Sequence, residues 1–412
     1  MTSNGGTNRQ RRGRSAAPLL GGLVVGMLGG LLVAPALAAV PVPAPAPAAS
    51  APAASGSAPE LTGLALGPNR LPDCTPVVAT MTPQARLAQR LMVGVPGDDP
   101  AGTTALVRDT QVGGIFVGGN ATQLLRNQAL RGVQAVSRVP LAVAVDDEGG
   151  RVQRIDALDG ELPSARTLAT TKTPQEVRDI AQQRARKLAA RGITMNLAPD
   201  VDVSDQPADD VIGDRSFSND PSTVVTYASA FATGQRQAGI FTVLKHFPGH
   251  GHARGDSHKG RVTTPPLAQL ESDDLRPYDV LLGPGGPLAD NVGRGRTGVM
   301  VGHLDVPGLT TDLPSSLTPA VYQLLRGKYA FDGMVMTDDL GAMKAITNEF
   351  PLPMAVTRAL EAGADVALWT SGDKVGPVLD ALQQALAGGK LSSTANDESV
   401  ARILAAKGLC TR

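Results

Sequence analysis

Beyond about residue 76 the chain alternates two hydrophobic patterns. Short unbroken apolar runs, many rich in Val or Ile, fall at residues 91–95, 114–117, 141–145, 194–198, 241–244, 298–301, 333–336 and 366–368. Runs of this length without polar alternation fit strands buried on both faces, as in a parallel sheet. Longer segments between them read as helices. MTPQARLAQRLM places Thr82 as N-cap and Pro83 at the first helical position. PQEVRDIAQQRARKLAARG and PMAVTRALEAGA are further examples. About eight strands alternating with helices predict an α/β fold, a (β/α)8 barrel. A doubly wound open sheet would give the same alternation, and periodicity alone does not separate the two.

Polar residues recur where the apolar runs end. The third run leads into Asp146 and then DEGGRVQR; the fourth contains Asn196; the fifth leads into Lys245 and His246. The sixth leads through Gly302 to His303, and the seventh to Thr337, Asp338 and Asp339. In a parallel barrel the C-terminal strand ends form the rim where active sites are built, so these distant positions would converge.

Four of the five histidines lie in KHFPGHGHARGDSHKG, residues 245–260. Asp256 and His258, two apart, can form a dyad in which the carboxylate orients the imidazole for proton transfer. Asp338, just past a buried run, can present a carboxylate nucleophile to an acetal carbon. Gly251 and Gly255 would let the loop move and deliver the dyad when substrate is bound. Two other readings stand beside this one. DSH also suits a surface turn, and His250, His252 and His258 could supply imidazoles to a metal, although their spacing matches no standard zinc site.

LMVGVPG, VGGIFVGG, AVDDEGGRVQR, NLAPDVDV, IGDRSF, KHFPGHG with its downstream DSH, and GMVMTDDLGAM occur in this order over roughly residues 80–370. Together they resemble the signature of glycoside hydrolase family 3 β-N-acetylglucosaminidases. The resemblance implies a (β/α)8 barrel, with Asp338 as nucleophile and His258, held by Asp256, as acid/base. Asp146 and Arg154 would hold sugar hydroxyls; Arg215, Lys245 and His246 would complete the pocket, and His303 would also line it. Glu148 is an alternative acid/base that the resemblance does not favour. Asp339 reads as structural and Asp202 as pinning a loop. Asp147 stands where the family is expected to carry glutamine, with little effect expected because Asp146 is kept. The chemistry requires no metal or cofactor. Residues 283–298 look like a Gly-rich insertion.

The first sixty residues lie outside this pattern. Arg9, Arg11, Arg12 and Arg14 precede an apolar stretch ending in Ala36-Leu37-Ala38. Residues 1–38 therefore read as an export signal, with an uncleaved membrane anchor as the alternative. Residues 39–60 form a Pro/Ala linker. The barrel domain is expected over 61–412, with too little chain after Trp369 for a second domain. Export would permit a disulfide between Cys74 and Cys410, and two buried free thiols are the other possibility. Equal numbers of basic and acidic residues, 38 each, give no electrostatic reason to expect nucleic acid or an anionic membrane surface as partner. Aromatic residues are 3% of the chain, which suits a small pocket better than a long cleft paved with aromatic platforms.

The expected protein is thus an exported, monomeric, exo-acting retaining β-N-acetylglucosaminidase working near the cell wall on peptidoglycan fragments. A phosphorylase or β-glucosidase on the same scaffold, or a non-catalytic wall-binding protein, are the rivals.

Overall fold

The computed structural model describes residues 73–289, 297–372 and 374–410. The expected signal and linker lie outside the described residues, as do positions 290–296 of the Gly-rich segment. No helix among the described residues is long and apolar enough to cross a membrane.

Eight parallel strands close into a barrel in chain order. They are β1 Leu91–Val95, β2 Gly114–Val117, β3 Ala142–Val145, β4 Met195–Asn196, β5 Phe241–Phe247, β6 Thr297–Val301, β7 Val335–Asp339 and β8 Val366–Trp369. Closure pairs β1 with β8, Leu91 opposite Ala367 and Met92 opposite Leu368, which decides between the barrel and the open sheet. The strands are largely apolar because both faces are covered, with charged residues only toward the C-terminal ends of β5 and β7. Met92, Ala144, Met195, Met300 and Met336 fill the interior, where flexible thioethers fit irregular space. Leu91, Val93, Ile115 and Val143 belong to the cluster shared with the helical layer.

Several helices begin where the sequence supplies a capping side chain. Thr82 accepts from the Ala85 amide ahead of Pro83–Gln89. Thr173 and Glu176 form a reciprocal capping box at the start of Pro174–Ala190. The C-terminal helix Ser393–Ala406 lies beneath the barrel: Ile403 joins the interior cluster, and the helix packs on Thr75–Ala79, with Cys74 and Val78 against Val400 and Leu404. There Cys74 and Cys410 form a disulfide with their Cα atoms 5.0 Å apart.

The apolar runs misjudge three strand ends. The fourth strand is only Met195–Asn196. The fifth continues through Lys245 and His246 to Phe247, and the seventh through Asp338 to Asp339, so these polar residues lie on strands and not beyond them. Both extensions coincide with a register shift. From Leu244 to Phe247 the chain advances three residues while β6 advances two, and Met336 to Asp339 does the same against β8. One extra residue is the geometry of a β-bulge, which re-aims side chains at a strand end.

Candidate active site

A cavity of about 310 Å3 opens at the C-terminal rim of the barrel. Asp146 and Arg154 come to it from the segment after β3, Lys245 and His246 from β5, Arg215 from the β4–β5 connection, Asp338 from β7 and His258 from the loop after β5. The bulge in β5 explains how two consecutive residues, Lys245 and His246, both line it; strict strand alternation would turn one away.

Its floor is an ion-pair network. Lys245 Nζ lies 2.8 Å from Asp146 Oδ1 and 2.5 Å from Glu148 Oε1. Arg215 donates to both Glu148 oxygens, at 2.8 and 2.9 Å. Burial alone would raise the Glu148 pKa, but the charges of Arg215 and Lys245 overcome it and hold this carboxyl well below the usual range. A carboxylate clamped between two cations has no proton to give, so Glu148 serves as a counterion and not as the acid/base. Asp146 stays partly open to the cavity, with Arg154 Nη2 3.7 Å from its second oxygen. Carboxylate, ammonium and guanidinium side by side offer acceptors and donors for adjacent hydroxyls.

His246 is held from behind. Its Nδ1 lies 2.7 Å from Asp202 Oδ2, and Arg215 approaches its Nε2 at 3.4 Å. Burial lowers its pKa to about 4, so the ring is neutral, donating from Nδ1 and accepting at Nε2. Asp202 also accepts from the amides of His246 and His250 and thereby fixes the loop that starts there. Asp200, unremarked in the sequence, sits 3.6 Å from Arg215; burial and then the Asp202 charge raise its pKa.

Asp338 is half-buried at the cavity wall and accepts from the Asp339 amide at 2.8 Å. Burial pushes its pKa up, but His303, His246, that amide and Lys245 together bring it below the ordinary carboxylate value. It is therefore ionised at neutral pH, as a nucleophile must be. Asp339 turns away and accepts from the amides of Gly341, Ala342 and Thr370 and from the Thr370 hydroxyl.

The expectation that His303 lines the pocket is corrected. His303 is 1% exposed; its Nδ1 meets Ser316 Oγ at 2.7 Å and its Nε2 the Asp339 carbonyl at 2.9 Å. With both ring nitrogens engaged it supports the Asp338–Asp339 step and is closed to a ligand. The strand-end signal that marked it does not report on which side of the rim a side chain falls.

On the loop, His258 Nδ1 lies 2.9 Å from Asp256 Oδ1, which also accepts the His258 amide at 3.0 Å. Burial opposes ionisation of Asp256, but these bonds and Lys259 keep its pKa below the usual value. An ionised Asp256 fixes the proton on Nδ1 and leaves Nε2 free for proton exchange. The His258 side chain is 65% exposed, so access for a leaving group is open. The loop is docked beside the segment that follows Asp338: Ala345 donates to the Ser257 carbonyl at 3.0 Å, and Ser257 Oγ donates to Met343 Sδ. Gly251 is no hinge here, since a Cβ would lie 1.9 Å from the Val203 carbonyl oxygen; it permits close packing.

His250, His252 and His258 do not form one ligand set. His250 and His258 both line the cavity, but His258 is paired with Asp256 and His252 turns to Asp273 and Asp274. Among the described residues the groups with ligand-like spacing are Asp200, Asp202 and His246, and His252, Asp273 and Asp274. In the first, Asp202 and His246 already bond to each other. Trp369 is buried within β8 and gives the site no platform.

Arg184 was not legible as a site residue. It belongs to the helix Pro174–Ala190, whose sequence reads as charged and exposed, yet it is 5% exposed and paired with Asp147.

Residues 83–406 match the family model described as the glycosyl hydrolase family 3 N terminal domain. The chain is 47% identical over 361 residues to the β-hexosaminidase LpqI of Mycobacterium tuberculosis, covering 86% of this chain and 90% of that protein. A crystal structure of a family 3 glycosyl hydrolase from Mycobacterium smegmatis superposes with a TM-score of 0.75 at 51% identity, over 80% of this chain and 98% of that one. A family 3 β-N-acetylglucosaminidase from Paenibacillus gives 0.72 at 29% identity, over 80% and 62%. The chain belongs to glycosyl hydrolase family 3 and is a glycoside hydrolase built on a (β/α)8 barrel.

Proposed function

We propose that the protein is an exo-acting, retaining β-N-acetylglucosaminidase that removes terminal β-linked N-acetylglucosamine from peptidoglycan fragments outside the cytoplasm. The observation that carries this reading is the division of labour at the rim. Asp338 is ionised at the cavity wall, while Glu148 is neutralised by Arg215 and Lys245, so the Asp256–His258 dyad is the group placed to move a proton. The names of the relatives support the N-acetylhexosamine.

In the first step Asp338 Oδ attacks the anomeric carbon as the bond to the leaving oxygen breaks, and His258 Nε2–H protonates that oxygen. In the second, Nε2 takes a proton from water, whose oxygen displaces Asp338 from the same carbon. Two inversions give net retention. Asp146, Arg154 and Lys245 hold the sugar hydroxyls. The basic and apolar residues 1–38 favour export, and the Pro/Ala linker suits a wall-facing position.

The full chain is to be assayed on aryl β-N-acetylglucosaminide and aryl β-glucoside, with and without phosphate, beside Asp338→Asn. The reading requires turnover of the N-acetyl substrate well above the glucoside, free sugar as product, and at least a thousandfold loss in the variant, in keeping with removal of a nucleophile. Sugar phosphate as the main product would make it a phosphorylase. Binding without turnover would make it a wall-binding protein.

A further inference from the structure

We infer that Arg184 and Asp147 are a buried positioning pair that sets the sugar-gripping residues Asp146 and Arg154; the inference rests on the glycosidase reading above. Asp146, Asp147 and Glu148 follow one another after β3. The outer two face the cavity and Lys245. Asp147 points the other way and is 0% exposed.

Its carboxylate receives Arg184 Nε at 2.7 Å on one oxygen. The other oxygen receives Arg184 Nη2 at 3.0 Å and the backbone amide of Arg154 at 2.8 Å. The same guanidinium reaches the Gly160 carbonyl at 2.6 Å and Gln153 Oε1 at 3.2 Å. One side chain on an outer helix thus ties three points of the segment that carries the sugar ligands. Asn196 of β4 clamps the Asp147 peptide from the other side, accepting its N–H at 2.9 Å and donating to its carbonyl at 2.8 Å.

Stability alone is a poor reason for this arrangement. A buried ion pair is often matched or bettered by apolar residues of similar volume. What an apolar pair could not supply is the direct bond from Asp147 to the Arg154 amide, which fixes where the Arg154 guanidinium stands beside Asp146. Small misplacements of groups that hold a substrate cost up to about a hundredfold.

The test uses the full chain and separates folding from positioning. Thermal melting, N-acetylglucosamine affinity by calorimetry and kcat/KM on the aryl substrate are measured for wild type, Arg184→Lys and the double variant Asp147→Leu with Arg184→Met. The double variant leaves no unpaired charge but strips the Arg154 amide and the Gly160 carbonyl of these partners, so it is expected to fold and to melt a few degrees below wild type. Its sugar affinity and kcat/KM are expected to fall about tenfold or more, with the pH profile unchanged because His258 is untouched. Arg184→Lys keeps the charge but loses the fork, and is expected to fold and bind several-fold more weakly. Wild-type affinity in a folded double variant overturns the inference, as does wild-type affinity in Arg184→Lys should the double variant not fold. Absence of turnover and sugar binding in the wild type would instead overturn the substrate reading.

Discussion

At the scale of the residue, the site is defined by which charges are already spent. Several carboxyl groups lie at or beside the cavity, and sequence alone ranks them only by motif. The structure ranks them by partner. Glu148 is neutralised, Asp339 is bound to amides, Asp202 holds His246, and Asp338 faces the cavity ionised. The same logic bears on His258. A histidine acid is needed most when the leaving oxygen is basic and least when the departing group is already stable as an anion. For His258→Ala, kcat/KM on a nitrophenyl glycoside is therefore expected to fall by about tenfold or less. On a disaccharide it is expected to fall by about 10²–10⁴-fold. Measuring both decides the assignment, since equal losses on the two substrates would mean that His258 does not protonate the leaving group.

At the scale of the element, apolar runs locate all eight strands, because strands buried on both faces must be apolar. They place the rim less well. Lys245, His246 and Asp338 lie within strands because β5 and β7 each bulge where they meet the cavity, and a bulge leaves no mark in an apolar run. The loop after β5 shows a related limit. Its histidines stand out in the sequence, but their separate tasks depend on partners remote in the chain. His252 Nδ1 lies 3.0 Å from Asp274 Oδ2 and its Nε2 3.9 Å from Asp273. The Asp274 hydrogen bond, against some burial and aided by Asp273 and Asp205, raises its pKa to about 8. A histidine whose folded pKa exceeds its unfolded value of about 6.5 contributes its full stabilisation below pH 6.5. That contribution is lost as pH rises through 8. Melting temperatures of wild type and His252→Gln should therefore differ most near pH 6 and converge by pH 9. A gap that stays constant across this range would show that the pair is not linked to proton binding.

At the scale of the whole molecule, closure is the feature the pattern could not carry. It depends on β1 meeting β8 through contacts such as Val93 with Trp369, and neither strand's own sequence encodes a partner so distant. The same holds for the cysteines, whose number permits a bond but whose spacing does not require one. The Cys74–Cys410 disulfide spans 336 residues and sits with Thr75–Ala79 and Ser393–Ala406. Ile403 and Ala406 of the latter helix, with Lys407, meet Leu91, Gly114 and Val366 near the N-terminal ends of the strands. That end is opposite the rim that holds Asp338 and His258. A bond closing so long a loop restricts the unfolded chain more than it shapes the folded one, which predicts about 5 kcal/mol of stabilisation, the upper end of the usual range. Cys74→Ser with Cys410→Ser, and reduction of the wild type, should each lower the melting temperature by several degrees. Both should leave kcat/KM on the aryl substrate within about twofold, because no site residue leans on that end. A loss of activity in step with the loss of stability would mean that the base of the barrel sets the geometry of its rim, and that scaffold and site are not separable.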